Sequence, residues 1–360
     1  MAKKKTFPLP LWSLILPLLA WGLYFIGISG SGWLEAVAAI LLAGSVLSAV
    51  YHAEVVAHKV GEPFGTIILA VAITIIEVAL IISLMVAGGD NAAYLARDTI
   101  FAAIMLILNG ILGLCLLIGG WKYREQFFGK KSANTALIVL VSILVLTLVL
   151  PNFTTSTPGP TYNNAQLIFV AIASLVLYSA FIMVQTVRHR DYFLADDDED
   201  GHHHAAPPSL KVTLTSLGFL LICLAIVVLL AKSLSPAVEG MVASIGAPAS
   251  LVGVIIAAVV LLPEGLAAVR AASRNHLQTS LNLSLGSALA CIGLSVPTVV
   301  AVCLIYDINL VLGLDIKSMV LLGLSVFIVM LSLNQGRTNI LYGVVLLVNM
   351  AAYIFNIIVP

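Results

Sequence analysis

A chain of 360 residues that is 61% hydrophobic and 9% charged, with a mean hydropathy of +1.11, carries more apolar surface than a soluble core can hide. That excludes a water-soluble globular fold and marks an all-α polytopic membrane protein. Lys plus Arg equals Asp plus Glu, 17 of each, so overall charge points to no nucleic-acid partner, and the information lies in where the charges fall.

The chain opens on MAKKKTFPLPLW, a basic stretch followed by an apolar run. No small-x-small cleavage site follows cleanly, so this reads as a retained first helix rather than a removed signal. Hydropathy windows then place eleven spans of bilayer length, at 9–28, 33–51, 64–87, 98–120, 134–151, 164–187, 212–231, 248–269, 279–305, 315–333 and 338–358. Pro151 closes the fifth. The four cysteines, Cys115, Cys223, Cys291 and Cys303, lie inside apolar runs without CxxC spacing, as buried small hydrophobes do. Glu35, Glu54, Asp307 and Asp315 fall near span ends and read as interfacial. Glu62, His52 and His58 flank the mouth of the third span; a wet loop is the plain reading, a proton relay the other.

With the N-terminus placed in the cytoplasm, fourteen of the seventeen Lys and Arg fall on the cytoplasmic side; the exceptions are Arg97, Lys232 and Lys317. That bias supports both the orientation and the number of spans. The one long polar connection is RHRDYFLADDDEDGHHHAAPPS, Arg188 to Ser209. It reads as a solvated loop, with a cation or pH sensor as the alternative its histidines leave open. The predicted organisation is therefore 1–31, a cytoplasmic terminus and extra first helix; 32–187, a five-helix repeat; 188–210, the acidic and His-rich loop; and 211–360, a second five-helix repeat. Five is odd, so the two repeats enter the membrane from opposite sides, the inverted arrangement of many secondary transporters.

Each repeat carries one acid in an apolar span. GEPFGTIILAVAITIIEVALIISLMV holds Glu77, and GAPASLVGVIIAAVVLLPEGLAAV holds Glu264. A carboxylate at membrane depth costs on the order of a few kcal/mol, so a partner, a cavity or a bound ion must offset it. A packing acid kept protonated is one reading. The other is a central site where a cation and protons compete for the same oxygens. Thr74 lies one turn before Glu77 on the same face. Pro263 removes an amide donor beside Glu264 and should kink its helix, freeing carbonyls as cation ligands. Asn109-Gly110 and Gly286-Ser287 pair a polar residue with a small one, so that helices approach closely and a site gains a polar lining. The predicted cation and proton ligands are thus Glu77, Glu264, Thr74, Asn109 and Ser287.

GEPFGTIILAVAITIIEVALI and LLPEGLAAVRAASRNHLQTSLNLSLGSALACIGLSVP resemble the two α-repeats of the calcium/cation antiporter superfamily, most closely its ChaA-type branch. The resemblance covers nearly the whole chain. It implies an extra first helix, two inverted five-helix repeats, and exchange of Ca2+, Na+ or K+ for protons by a multi-pass protein of the inner (plasma) membrane, without a cofactor. The family's calcium/proton exchangers carry Gly-Asn-Ala-x-Glu in each half. Here the glutamates match at Glu77 and Glu264, but the preceding residues read Ile73-Thr74-Ile75-Ile76 and Val260-Leu261-Leu262-Pro263. The missing amide points away from strict calcium selectivity. Two readings of other classes are an intramembrane enzyme, for which the spans hold no HExxH or paired aspartates, and an uncoupled channel or a carrier of another solute.

Overall fold

A run of twenty apolar residues must satisfy its own backbone in lipid, and only helix does that within one segment. The computed structural model describes residues 9–28, 32–61, 64–87, 92–193, 208–244, 246, 248 and 250–359. In order these form α1 (Leu11–Ile26), α2 (Gly32–Val60), α3 (Phe64–Ala87), α4 (Ala92–Met105), a π-turn (Leu106–Ile111), α5 (Leu112–Tyr123), β1 (Glu125–Phe127), α6 (Lys130–Leu144), α7 (Asn164–Met183), α8 (Leu210–Ser244), α9 (Ser250–Val260), α10 (Leu262–Ser273), α11 (Leu277–Tyr306), α12 (Ile316–Leu333), β2 (Arg337–Asn339) and α13 (Ile340–Ile358). Among the described residues eight helices are long and apolar enough to cross a membrane, and the bent pair α9–α10 makes a ninth. Two shorter apolar stretches, α1 (Leu11–Ile26) and Ile68–Ser83 within α3, bring the total to the eleven expected positions. The opening lysines, Glu62 and the DDDEDGHHH run lie outside the described residues.

Some spans differ from their windows. α8 is 35 residues long, roughly 52 Å at 1.5 Å per residue, so it overruns a 30 Å hydrocarbon core. Pro151 does end its span, but gradually: α6 loosens into a π-turn (Val145–Val149) and then tightens into a 3-10 turn (Leu150–Phe153). The π pattern leaves the Leu146 carbonyl aimed at residue 151, and proline has no N–H to give it. The Tyr162 hydroxyl donates instead, at 2.7 Å. Burial pushes the Tyr162 phenol up to about 12, so it remains a donor at any physiological pH. All four cysteines are free and buried. Asp315 caps α12, accepting from Ser318 N at 3.3 Å, and Asp307 closes α11 in the left-handed region at φ 52°.

The chain forms two compact units, one of residues 1–83 with 200–241, the other of 84–199 with 242–360. In the first, Ala20, Leu23 and Ile28 of the α1 region, Ala38 and Leu41 of α2, and Ile226, Leu230 and Leu234 of α8 make a common core. Pro17 lies inside α1, which leaves the Ser13 carbonyl without its helical donor. Ser48 Oγ of α2 donates to it at 2.5 Å, and His52 Nε2, one turn on, stands 3.1 Å away. The His52 ring stacks on Phe219 of α8. A helix break that would orphan a carbonyl thus becomes the polar contact that fixes α1 on α2.

In the second unit α11 is the central element, with α7, α10 and α6 packed on it, and α5 pairs with α13. Small residues make that last pairing close. A Cβ at Gly343 would overlap the Leu117 amide nitrogen, and one at Gly120 would sit 2.6 Å from Ile340 N. The close approach expected at Gly110 and Gly286 is absent among the described residues: a Cβ at either meets nothing within 4 Å. The tight seam runs through Gly113, Gly120 and Gly343 instead, since Gly120 and Gly343 face a neighbouring backbone and Gly113 the side chains of Leu346 and Leu347, while Gly110 sits on a turn that bulges. Beyond the seam, β1 and β2 pair antiparallel, Glu125 with Asn339 and Phe127 with Arg337.

Candidate functional site

In the first unit, Glu77 sits within α3, whose helix runs unbroken from Phe64 to Ala87. It is 6% exposed, and Thr74 is 7% exposed. The three-residue spacing places both on one face, as the sequence predicts. Ile75, on the opposite face, is 47% exposed. The face that carries the acid is therefore the buried one, and its chemistry is a carboxylate with a hydroxyl one turn away.

The second unit treats its glutamate differently. The α9–α10 pair bends by 57° at Leu261, the kink that Pro263 foretells. Pro263 has no N–H for the Val259 carbonyl. Glu264 is not in mid-helix: it stands in the first turn of α10, which begins at Leu262. The dipole of α10 favours negative charge at that turn, while the carbonyl end of α9 arrives from the other side. A carboxylate at the break, with the Val259 carbonyl relieved of its helical donor, supplies hard oxygens, the type that Ca2+, Na+ and K+ take.

Around this break the packing is close. Gly265 sits against Ile111, with a Cβ there 3.3 Å from Ile111 Cδ1. The first turn of α10 thereby touches the π-turn that carries Asn109, and α11 packs on both. Glu264, Asn109 and Ser287 thus stand on three mutually packed elements. Ser287 is partly buried on α11, beside Gly286.

Asn109 is fully buried and already engaged. Its Nδ2 donates to Ser325 Oγ of α12 at 2.9 Å and to Met105 O at 3.3 Å. Its Oδ1 accepts from Asn349 Nδ2 of α13 at 2.9 Å, and Asn349 also donates to Ser325 Oγ at 2.8 Å. Ser325 passes its own proton to Leu321 O at 2.7 Å. Sequence reasoning singles out neither Ser325 nor Asn349. The available signal was a lone amide in the middle of LYGVVLLVNMAAYIF. The π-turn is what aims Asn109 at them, by adding a residue to the helix and rotating everything after it.

At the end where α4 and α12 begin, a cavity of about 300 Å3 is lined by Arg97, Asp98, Ser250, Asp315, Lys317 and Tyr353, among others. Arg97 is held there by Asp98 Oδ1 at 2.8 Å and by the Gly313 carbonyl at 3.0 Å. Two carboxylates and two cationic side chains share its lining, which makes the cavity polar.

Eleven apolar helical elements among the described residues, two of them carrying Glu77 and Glu264, define a polytopic membrane protein. The chain belongs to the sodium/calcium exchanger protein family, whose model matches residues 30–187 and 215–359. It is 44% identical over 360 residues to the putative ionic transporter y4hA of Sinorhizobium fredii, covering 98% of this chain and 97% of that one. It is 35% identical over 353 residues to the sodium-potassium/proton antiporter ChaA of Escherichia coli K12, covering 96% and 95%. Among solved structures, native YfkE superposes with a TM-score of 0.75 at 18% identity, over 97% of this chain and all of that one. The H+/Ca2+ exchanger CAX gives 0.67 at 13%, over 95% and 88%. At those identities the likeness is one of fold.

Proposed function

We propose that the chain is a secondary antiporter of the inner membrane, exchanging cytoplasmic Ca2+, Na+ or K+ for protons, with its N-terminus in the cytoplasm and no chemical conversion of its cargo. The relatives named for sodium-potassium/proton and calcium/proton antiport, each matching most of this chain, support the reaction class. The distribution of Lys and Arg supports the orientation. One observation carries the mechanism: Glu264 stands in the first turn of α10, at the 57° break between α9 and α10 within an apolar span.

Glu77 and Glu264 are the groups at which protons and cations exchange in this reading. When ionised, each offers oxygens to a cation; when protonated, each gives up a share of that affinity, so proton and cation displace one another. Coupling follows if the doubly ionised, empty protein is slow to change the side it faces, while the cation-loaded and protonated forms change readily. Thr74 adds a neutral oxygen beside Glu77. Asn109 positions the π-turn that supports α10, through its bonds to Ser325 and Asn349. Ser287 adds a hydroxyl on α11, the helix that packs on that turn. The test is cation-induced proton release from everted vesicles across a panel of Ca2+, Na+ and K+. Glu77→Gln and Glu264→Gln should each abolish it, and full activity in either variant overturns the assignment.

A further inference from the structure

We infer that the groove between α6 and α12 is a binding site for one anionic phospholipid. The groove encloses about 550 Å3, within the range of ligand pockets, roughly 300–1,000 Å3. α6 lines it with Asn134, Leu137, Ile138 and Val141, and α12 with Phe327, Met330, Leu331 and, at its C-cap, Asn334. Both sets follow the i, i+3, i+4, i+7 spacing of one helix face.

Its polarity is graded along its length. The two asparagines close one end, and everything beyond them is apolar. Ile138 is 68% and Phe327 60% exposed, on spans that cross the bilayer, so what meets them is hydrocarbon. The asparagine end lies beside the β1–β2 pair, where exposed Trp121 and Phe127 mark the level of the membrane surface.

Charge selects the headgroup. Lys130 precedes Asn134 by one turn on the same face of α6, and its stem crosses Gly336 just beyond Asn334, with Cγ 2.9 Å from where a Cβ would stand. Among the described residues Lys130 has no carboxylate within 4 Å. Its neighbours are committed: Lys131 lies over the Tyr192 ring, Lys122 donates to the Ser273 carbonyl, and Arg337 faces Glu125. One ammonium without a carboxylate, carried one turn before Asn134 on a stem that packs along Gly336, suits a phosphate diester at the asparagine end of the groove, with an acyl chain descending between Ile138 and Phe327.

Binding is read without transport, so the proposal stands apart from the antiport reading. Native mass spectrometry of the purified full chain would count lipids retained after adding palmitoyl-oleoyl phosphatidylglycerol, the matching phosphatidylcholine, or glycerol 3-phosphate alone. The wild type should keep one phosphatidylglycerol about fivefold more tightly than phosphatidylcholine, the size of effect expected of one basic residue at an anionic surface. Lys130→Glu should remove that preference. Ile138→Trp, which fills a lipid-facing groove and leaves the core intact, should lose the bound lipid of either kind. Glycerol 3-phosphate should not be retained. Wild-type retention in both variants, retention of glycerol 3-phosphate, or a second copy of the chain in place of the lipid would each overturn the proposal.

Discussion

Asn349 on α13 donates to Asn109 in the π-turn at 2.9 Å, with both side chains almost wholly buried. The bond joins a helix irregularity to a straight neighbour, and Ser325 completes the triangle from a third helix. A π-turn is a costly local geometry that persists where side chains hold it. Here the holding group is amide to amide, buried where the loss of one partner would leave the other unsatisfied.

Replacing Asn349 by Leu keeps the volume but leaves Asn109 Oδ1 without its donor. Loss of stability should be about 1–3 kcal/mol, read as the thermal midpoint of the detergent-solubilised protein. The double variant Asn109→Leu with Asn349→Leu should lose less in total than the sum of the two single losses, because the orphaned group goes with its partner. Full additivity would mean the bond contributes nothing.

Pro263→Ala returns an N–H to the chain opposite Val259. We expect thermal stability to hold or rise, while proton release in everted vesicles falls, because a straighter α9–α10 withdraws Glu264 from its position at a helix start. Wild-type exchange in a well-folded Pro263→Ala protein would show that the break has no part in transport.

Protons and cation compete in the proposed mechanism. Apparent cation affinity should therefore weaken as pH falls, by up to about tenfold per pH unit for each proton displaced. Vesicle assays at several pH values measure this directly. An affinity flat between pH 6 and 9 would sink the idea of shared oxygens.

Gly343→Val should be the most damaging of the small changes. Its Cβ would overlap the Leu117 amide and crowd the Gly113 carbonyl, both backbone atoms that cannot step aside. Overpacking of this kind costs about 1–3 kcal/mol, so expression as a monodisperse species should drop sharply. Gly286→Val, which meets open space, is the internal control.

Tyr162→Phe removes the donor on the Leu146 carbonyl and nothing else. The expected loss is about 1 kcal/mol in thermal stability, with exchange unchanged. A larger loss of transport than of stability would give the turn after Pro151 a functional part.

The sequence by itself determined where the chain crosses the membrane, because a bilayer imposes one length and one backbone solution on every apolar run. It also determined the two acids, since a carboxylate in such a run is conspicuous, and the kink at Pro263, since a missing N–H acts locally. Tertiary structure decided what those features face. Asn109 reads as a lone amide in an apolar span; that it is held by Ser325 and Asn349, more than two hundred residues away, depends on a π-turn and on three helices meeting. Gly110 and Gly286 look like contact glycines, yet Gly113, Gly120 and Gly343 hold the seam, because closeness belongs to a pair of surfaces and a single span contains only one of them.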